Sequence, residues 1–276
     1  MTISGTTRLA GVIGDPIRHS LSPAIFNAAF EACELDWAYL AFEVPSGQAD
    51  RALDAMRALD IGGLSVTMPH KDTVAELVDH LAPEAAALHA VNCVVATADG
   101  LLGENTDGPG FLEALRAEIG YEVAGRRTVV IGAGGAARAI VLALSRAGAS
   151  DVAVVNRTAE RADTAAALAG PVGRVSTIDA IDGADLIVNA TSVGMDDGQM
   201  PFDATRLTGA QVVADIVYHP SPTALVAAAR ERGIIAVDGL GMLVQQAGLA
   251  FRLWTGLEPP VRAMADAARA ALSTPR

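Results

Sequence analysis

Two polar turns carry residues of the kind that move protons. The first, Ser65-Val66-Thr67-Met68-Pro69-His70-Lys71, ends an apolar run and opens a helix-forming stretch. Pro69 suits the first helical position, which would put Lys71 in the first turn. The positive end of the helix dipole disfavours an ammonium there, so Lys71 should release its proton more readily than an exposed lysine. A lysine tuned in this way is the proton acceptor that oxidation of an alcohol to a ketone requires. The competing reading is an ordinary surface lysine. The second turn, Gly103-Glu104-Asn105-Thr106-Asp107-Gly108, leads into a helix around residues 111–118. Asp107 is either a simple helix cap or the carboxylate that pairs with Lys71 and orients it. Asn92 heads the nearby strand Cys93–Ala96. Lysine, aspartate and amide would then share one edge of a parallel sheet, where such folds hold ligands.

Near the N-terminus, Gly14-Asp15-Pro16-Ile17-Arg18-His19-Ser20-Leu21-Ser22-Pro23 reads as an anion site. In an extended segment Ser20 and Ser22 project from one face. Pro23 would begin a helix and make Ser22 its N-cap. Two hydroxyls beside a helix start can cradle a carboxylate without an arginine; a capped helix with an incidental serine is the plainer alternative.

A third motif binds phosphates. The run Thr128–Ile131 passes directly into Gly132-Ala133-Gly134-Gly135-Ala136-Ala137 and then an alanine-rich helix. This is G-x-G-x-x-A between strand and helix, the context in which it cradles a dinucleotide pyrophosphate. About 20 residues on, a site for NAD usually carries an acidic residue on the ribose 2′-hydroxyl. Here the strand ends in Asn156-Arg157-Thr158, with Arg161 one turn later. A carboxylate would repel a 2′-phosphate. Arg157 can stack on adenine and pair with the phosphate, and Arg161 adds a second cation. Thr158 serves as N-cap and phosphate donor. The expected cofactor is therefore NADP.

The elements that must position these groups alternate along the chain. Leu9–Ile13, Tyr39–Phe42, Gly63–Val66 and Cys93–Ala96 read as strands, with helical periodicity at 23–33, 48–59 and 69–88 between them. A second series runs through Thr128–Ile131, Val152–Val155, Leu186–Asn189, Val212–Ile216 and Ile234–Val237. Leu240–Trp254 and Val261–Leu272 are helical with no strand between. The expected fold is α/β with two domains. Residues 1–107 plus 238–276 form a mainly parallel substrate domain, discontinuous because the C-terminal helices return to it. Residues 108–237 form a Rossmann-like NADP domain. The last residues, 274–276, are expected to fray.

Composition narrows the classes. Of 276 residues 51% are hydrophobic and only 4% aromatic, so the cores must be filled by Ala, Val, Leu and Ile. A net charge of −12 argues against general affinity for nucleic acid or anionic membranes. No uncharged run reaches the ~18 residues of a membrane span, and no signal peptide is evident. Cys33 and Cys93 make no metal spacing and read as buried thiols in a reducing, cytoplasmic compartment.

Taken together, these blocks resemble the shikimate dehydrogenase family over almost the whole chain. Besides the segments above, Ala90-Val91-Asn92, Asn105-Thr106-Asp107 through Gly110, Asn189 through Met195, Asp215 through Thr223, Gly239 through Leu243 and Trp254-Thr255-Gly256 match its pattern in order. The resemblance implies reversible reduction of 3-dehydroshikimate to shikimate by NADPH, with Lys71 and Asp107 as the catalytic pair. It implies that Ser20 and Ser22 hold the substrate carboxylate with Tyr218 beside it. Thr67, Asn92 and Gln246 would bind ring hydroxyls or line the same cleft. Gly132, Ala133, Gly134, Gly135 and Ala136 would lie under the pyrophosphate, and Asn156, Arg157, Thr158 and Arg161 at the adenosine phosphate. Ile216, Gly239 and Met242 would lie near the nicotinamide. No metal is implied, and a homodimer is the candidate assembly. Two positions depart from the pattern: Ser65 stands where Asn is usual, and Phe26 where His is usual. Quinate or aminoshikimate dehydrogenases are the nearest alternatives. A regulator that binds NADP without turnover is the alternative of another class.

Overall fold

The computed structural model describes residues 3–195 and 198–273; the expected fraying of 274–276 lies outside the described residues. The chain divides into two compact units, Met1–Thr106 with Val244–Arg276, and Asp107–Leu243.

The first unit begins with strands β1 (Arg8–Gly14), β2 (Trp37–Glu43), β3 (Gly63–Val66), β4 (His80–Leu81), β5 (Cys93–Thr97) and β6 (Gly100–Glu104). Its helices α1 (Ser22–Ala32), α2 (Ala49–Ala58), α3 (Lys71–Leu77) and α4 (Pro83–Leu88) fall between them. The sheet order is β2-β1-β3-β5-β6-β4. β1 runs parallel to both β2 and β3, whereas β5 is antiparallel to β3 and to β6. The reversal at β5 matters for function. The beginning of β5 and the end of β6 now lie on the same edge as the ends of β1 and β3: Ser65 pairs with Cys93, and Cys93 with Glu104.

The helix expected across 69–88 is broken into α3, β4 and α4. Two local causes are visible. Pro83 forces the preceding Ala82 into extended backbone (φ −69°, ψ 158°) and starts α4 afresh. His80 and Leu81 meanwhile pair with Leu102 and Gly103, while the Asp79 carboxylate accepts from the Leu101 N–H at 2.7 Å. Backbone hydrogen bonds to a strand some 22 residues away outweigh helix propensity.

The second unit holds α5 (Asp107–Ile119), β7 (Arg127–Ile131), α6 (Gly135–Arg146), β8 (Asp151–Val155), α7 (Ala159–Ala167), β9 (Gly173–Val175), β10 (Leu186–Asn189), β11 (Val212–Asp215), α8 (Ala224–Glu231) and β12 (Ile235–Val237). All pairs in its sheet are parallel, in the order β12-β11-β10-β7-β8-β9. This is the doubly wound order of dinucleotide-binding folds, with the switch point between β7 and β10. Strand alternation divides the core. Val130, Val152, Val154 and Val188 pack under α5, α6 and α7 with Leu115, Ile140 and Leu144. Val129, Ile131, Ile187 and Val213 face Leu225 and Val226 of α8. Each such aliphatic side chain, fully removed from water, contributes about 1.5–3 kcal/mol.

The C-terminal helices α9 (Gly239–Thr255) and α10 (Val261–Ser273) follow with no strand between them. They return to the first sheet. Trp254 donates its indole N–H to the Val94 carbonyl at 3.1 Å, and Phe251 meets Phe30 with ring centroids 5.8 Å apart. The other face of that sheet is aliphatic, with Ile13, Leu64, Val66 and Val94 packed against Leu53, Met56 and Val74. Although aromatics are scarce, Phe26, Phe30, Trp37, Tyr39, Phe251 and Trp254 are concentrated in this one layer. Cys93 is buried there and Cys33 half-buried, and neither forms a disulfide.

Candidate active site

In the first unit the ends of β1 and β3 are stitched together before they diverge. Thr67 N–H donates to Ile13 O (3.0 Å), Asp15 N–H to Met68 O (3.0 Å) and Val66 N–H to Asn92 O (2.8 Å). A Cβ on Gly14 would lie 2.5 Å from the Thr67 methyl, so glycine there lets the two strand ends close up. Thr67 and Lys71 are half-buried on this edge. Lys71 is the first residue of α3, and its carbonyl accepts from Val91 N–H at 2.9 Å. Pro69 does not start the helix. Instead Pro69 and His70 lie in a turn closed by His70 N–H to Thr67 O (3.0 Å), and His70 is fixed by its ring nitrogen on Val44 O at 2.7 Å.

Ser20 and Ser22 come together differently from the expectation. The segment is a turn, closed by Ser20 N–H to Ile17 O (2.9 Å), and Leu21 has helical backbone. Ser22 is therefore the first helical residue and not the N-cap. The Ser20 hydroxyl accepts from the Ser22 N–H at 3.2 Å, which takes over one of the free donors at the helix start.

Asn92 is buried and grips Thr106. Its neighbour Asn105 donates its amide to Ala90 O at 3.0 Å, also buried. These two asparagines hold the chain leaving β6 just before Asp107. Gln246 lies half-buried on α9.

Sequence reasoning did not single out Tyr39 as a site residue. Its hydroxyl donates to the Ser65 hydroxyl at 2.8 Å, and its ring stacks on Phe26 at 4.4 Å with 5° between the planes. Both unusual positions, Ser65 and Phe26, thus touch the same tyrosine. Nothing in the period-2 pattern of β2 marks Tyr39 apart from its neighbours.

In the second unit Asp107 opens α5 and is 7% exposed. The next residue, Gly108, allows close helix packing, since a Cβ there would lie 2.6 Å from Ala139 O of α6. Gly132 follows β7 with φ +118°, and a Cβ on it would meet Ala190 O at 2.6 Å. Gly134 is the N-cap of α6, with Gly135 as its first residue; beyond their chain neighbours and the helix's own backbone, nothing lies within 4 Å of where either Cβ would be. Ala137 is fully buried against the sheet. The glycine turn therefore presents open backbone at the start of a 12-residue helix with no acidic residue in its first turn. That fits a pyrophosphate. At the end of β8, Arg157, Thr158 and Arg161 are exposed, and Asn156 donates its amide to Thr158 O at 3.0 Å. Thr158 occupies the N-cap position of α7, though its side chain makes no capping bond. Two cations and a hydroxyl beside the neighbouring strand suit a 2′-phosphate.

At the far side of that sheet, Asp215 is buried and accepts three hydrogen bonds. Asn189 amide (2.9 Å) and Val217 N–H (3.1 Å) share one oxygen, and the Thr223 hydroxyl (2.7 Å) takes the other. Burial nonetheless pushes its carboxyl above the ordinary range. Sequence reading placed 189 and 215 only in ordered blocks; their contact, 26 residues apart, has no local signal. The network fixes the turn bearing Ile216 and Tyr218, both half-buried. Gly239 packs so closely on the Ile216 carbonyl that a Cβ there would overlap it. Met242 is 9% exposed and belongs to the core beneath α5.

The sequence matches the family descriptions "Shikimate dehydrogenase substrate binding domain" over residues 12–94, "Shikimate / quinate 5-dehydrogenase" over 114–195 and "Shikimate 5'-dehydrogenase C-terminal domain" over 239–269. It is 45% identical to a shikimate dehydrogenase (NADP(+)) of Geobacter sp. strain M21, covering 100% of this chain and 99% of that protein. A shikimate dehydrogenase crystallised with NADP+ superimposes with TM-score 0.94 at 35% identity, covering 99% and 98% of the two chains. The enzyme from Thermus thermophilus, crystallised with NADP(H) and shikimate, does so with TM-score 0.89 at 39% identity, covering 96% and 100%.

Proposed function

Because the chain belongs to the shikimate dehydrogenase family, we propose that it catalyses the reversible NADPH-dependent reduction of 3-dehydroshikimate to shikimate, on the route to aromatic amino acids. The observation that carries this reading is the polar edge of the first sheet. Ser20, Ser22, Ser65, Thr67 and Asn92 are held there by short backbone and side-chain bonds beside the start of Lys71's helix. Such an edge recognises a small molecule with a carboxylate and several hydroxyls.

In the oxidising direction Lys71 accepts the proton of the substrate hydroxyl as the C–H bond gives up its hydride. In the reducing direction Lys71 returns that proton to the carbonyl oxygen. NADP, when bound, supplies the nicotinamide that takes or gives the hydride. Asp107 is the carboxylate assigned to assist Lys71 in this proton transfer. Ser20 and Ser22 donate to the substrate carboxylate, Tyr218 is a further residue assigned to the substrate, and Thr67, Asn92 and Gln246 hold the ring hydroxyls. Gly132 to Ala136 receive the pyrophosphate through backbone N–H groups. Asn156, Arg157, Thr158 and Arg161 hold the 2′-phosphate. Ile216, Gly239 and Met242 shape the surface for the nicotinamide. Residues 1–107 with 238–276 are assigned chiefly to substrate and 108–237 to cofactor, with Gly239 and Met242 serving the cofactor from the segment that follows 237.

We read the enzyme as cytoplasmic: its two cysteines are free thiols, and among the described residues no helix is long and apolar enough to cross a membrane. A homodimer is the assembly to check by light scattering. The decisive experiment offers shikimate, quinate and aminoshikimate with NADP and with NAD, and follows nicotinamide absorbance. Fastest turnover of shikimate with NADP is expected. Preference for quinate with NAD, or NADP binding without reduction of it, would overturn the assignment.

A further inference from the structure

We infer that Tyr39 is a positioning residue for the substrate: its buried phenol fixes the Ser65 hydroxyl so that the Ser65 proton is held out for a substrate oxygen. The inference rests on the reading of this sheet edge as the substrate site.

Strand alternation puts Leu64 and Val66 into the aliphatic layer, and Gly63 and Ser65 onto the opposite face. On that face Gly63 is covered so tightly by the Trp254 indole that a Cβ could not fit. Ser65, two residues on, is half-buried at the strand end, one residue before the Val66 that bonds Asn92 and two before Thr67. Tyr39 reaches it from β2, passing across β1 in the same layer. The phenol is held in one orientation with its hydroxyl on Ser65. Its ring is fully buried, stacked on Phe26 and flanked by Trp254 at 6.2 Å, and its strand is held by Asn27, whose amide bonds both the Tyr39 N–H (2.8 Å) and carbonyl (3.0 Å). Burial also keeps the phenol protonated, and Ser22 at the head of α1 engages it as well.

Hydrogen-bond bookkeeping then gives the direction. The Tyr39 O–H donates to Ser65 Oγ at 2.8 Å. A serine hydroxyl has one proton and two acceptor sites. With one acceptor site taken by Tyr39, the rotor is restrained and its proton points away from the phenol. A carboxamide at this position would offer both a donor and an acceptor. The serine held by Tyr39 offers a directed donor, suited to a carboxylate or hydroxyl oxygen. Phe26 contributes the flat apolar surface that keeps the Tyr39 ring in place.

The test compares Tyr39→Phe, Ser65→Ala and the double variant with the wild type, using shikimate and NADP. Tyr39→Phe keeps the stacked ring and removes only the oxygen. It should raise the KM for shikimate roughly 3- to 10-fold, the range of one neutral hydrogen bond, with kcat and the KM for NADP little changed. Ser65→Ala should do the same, and the double variant should be no worse than Ser65→Ala alone, because Tyr39 acts through Ser65. An unchanged KM in Tyr39→Phe, with or without a lower melting temperature, would overturn the inference. So would losses that multiply in the double variant. If Tyr39→Phe does not fold, Ser65→Thr replaces it: threonine keeps the oxygen that accepts from Tyr39 and should recover most of the KM lost in Ser65→Ala, and an equally poor KM in both would refute the idea. Wild-type protein that does not oxidise shikimate would take down the functional reading as well, which separates the two failures.

Discussion

Asn92 and Thr106 grip each other through both ends of one amide. The Asn92 Nδ2 donates to Thr106 Oγ1 at 3.0 Å, while its Oδ1 accepts from the Thr106 N–H at 2.8 Å and from the Thr106 hydroxyl at 3.3 Å. Both residues are 4% exposed, so water is a poor substitute for either partner. The pair clamps the strand head before β5 to the segment that ends one residue before Asp107. Asn92→Ala would strand a buried N–H and hydroxyl at a cost of about 1–3 kcal/mol. Urea unfolding should show that loss. Because Asp107 is the next residue, kcat should fall as well, and a variant with lowered stability but unchanged kcat would show that the clamp is structural only.

Lys71 is the residue on which the chemistry turns. Lys71→Ala should lower kcat by roughly 10²–10⁴, the usual contribution of general acid–base catalysis, with much less change in the KM for shikimate. Steady-state kinetics with both substrates varied checks this. Turnover retained within about tenfold would remove Lys71 from the proton path.

Cofactor choice is assigned to two exposed arginines. Arg157→Ala and Arg161→Ala should each raise the KM for NADP by roughly tenfold or more, since hydrogen bonds to charged groups contribute about 1.5–3 kcal/mol. The KM for NAD should rise far less, only by what Arg157 contributes through stacking on adenine, because that cofactor has no 2′-phosphate. A parallel rise for both cofactors would place the arginines elsewhere.

Gly132 is required twice over, by its positive φ and by the Ala190 carbonyl beneath it. Gly132→Ala must either strain the turn or push β7 away from the loop after β10, at about 1–3 kcal/mol. Both NADP and NAD binding should weaken alike, in contrast to the arginine variants. Fluorescence titration of each cofactor distinguishes the two patterns.

What was legible in the sequence depended on distance along the chain. The glycine turn after β7, the arginines after β8 and the parallel order of the second sheet could be read because each is a strand, turn and helix in succession, with the turn chemistry written in adjacent residues. Lys71 and Ser22 were placed near their helix starts, but each lies at the first helical position, because turns closed by His70 and Ser20 set the start. The break at 78–82 could not be read, since its cause is pairing with Leu101 to Gly103. The contact of Tyr39 with Ser65 is of the same kind, spanning 26 residues across two strand crossings. Ser65 and Phe26 were each recognisable as departures from the family pattern. Only their shared neighbour gives them a common physical meaning.

Asp215 provides a pH test of the second unit. Its carboxyl is pushed above the ordinary range chiefly by burial, against the pull of Thr223, Val217 and Asn189. The folded protein therefore holds this proton more tightly than the unfolded chain. The resulting stabilisation is complete below the ordinary carboxylate pKa and is lost as pH rises through the raised value. Asp215→Asn cannot titrate. At low pH the variant should be less stable than wild type by about 1–3 kcal/mol, because an amide nitrogen replaces the oxygen that receives the Thr223 hydroxyl. As pH rises from about 4 towards neutrality the wild type loses its protonation advantage, so the gap should narrow. Urea unfolding of both proteins at several pH values across that window measures the gap directly. A gap that widens with pH would mean that the ionised carboxylate is the form the Asn189, Val217 and Thr223 donors stabilise, and that these three bonds outweigh burial.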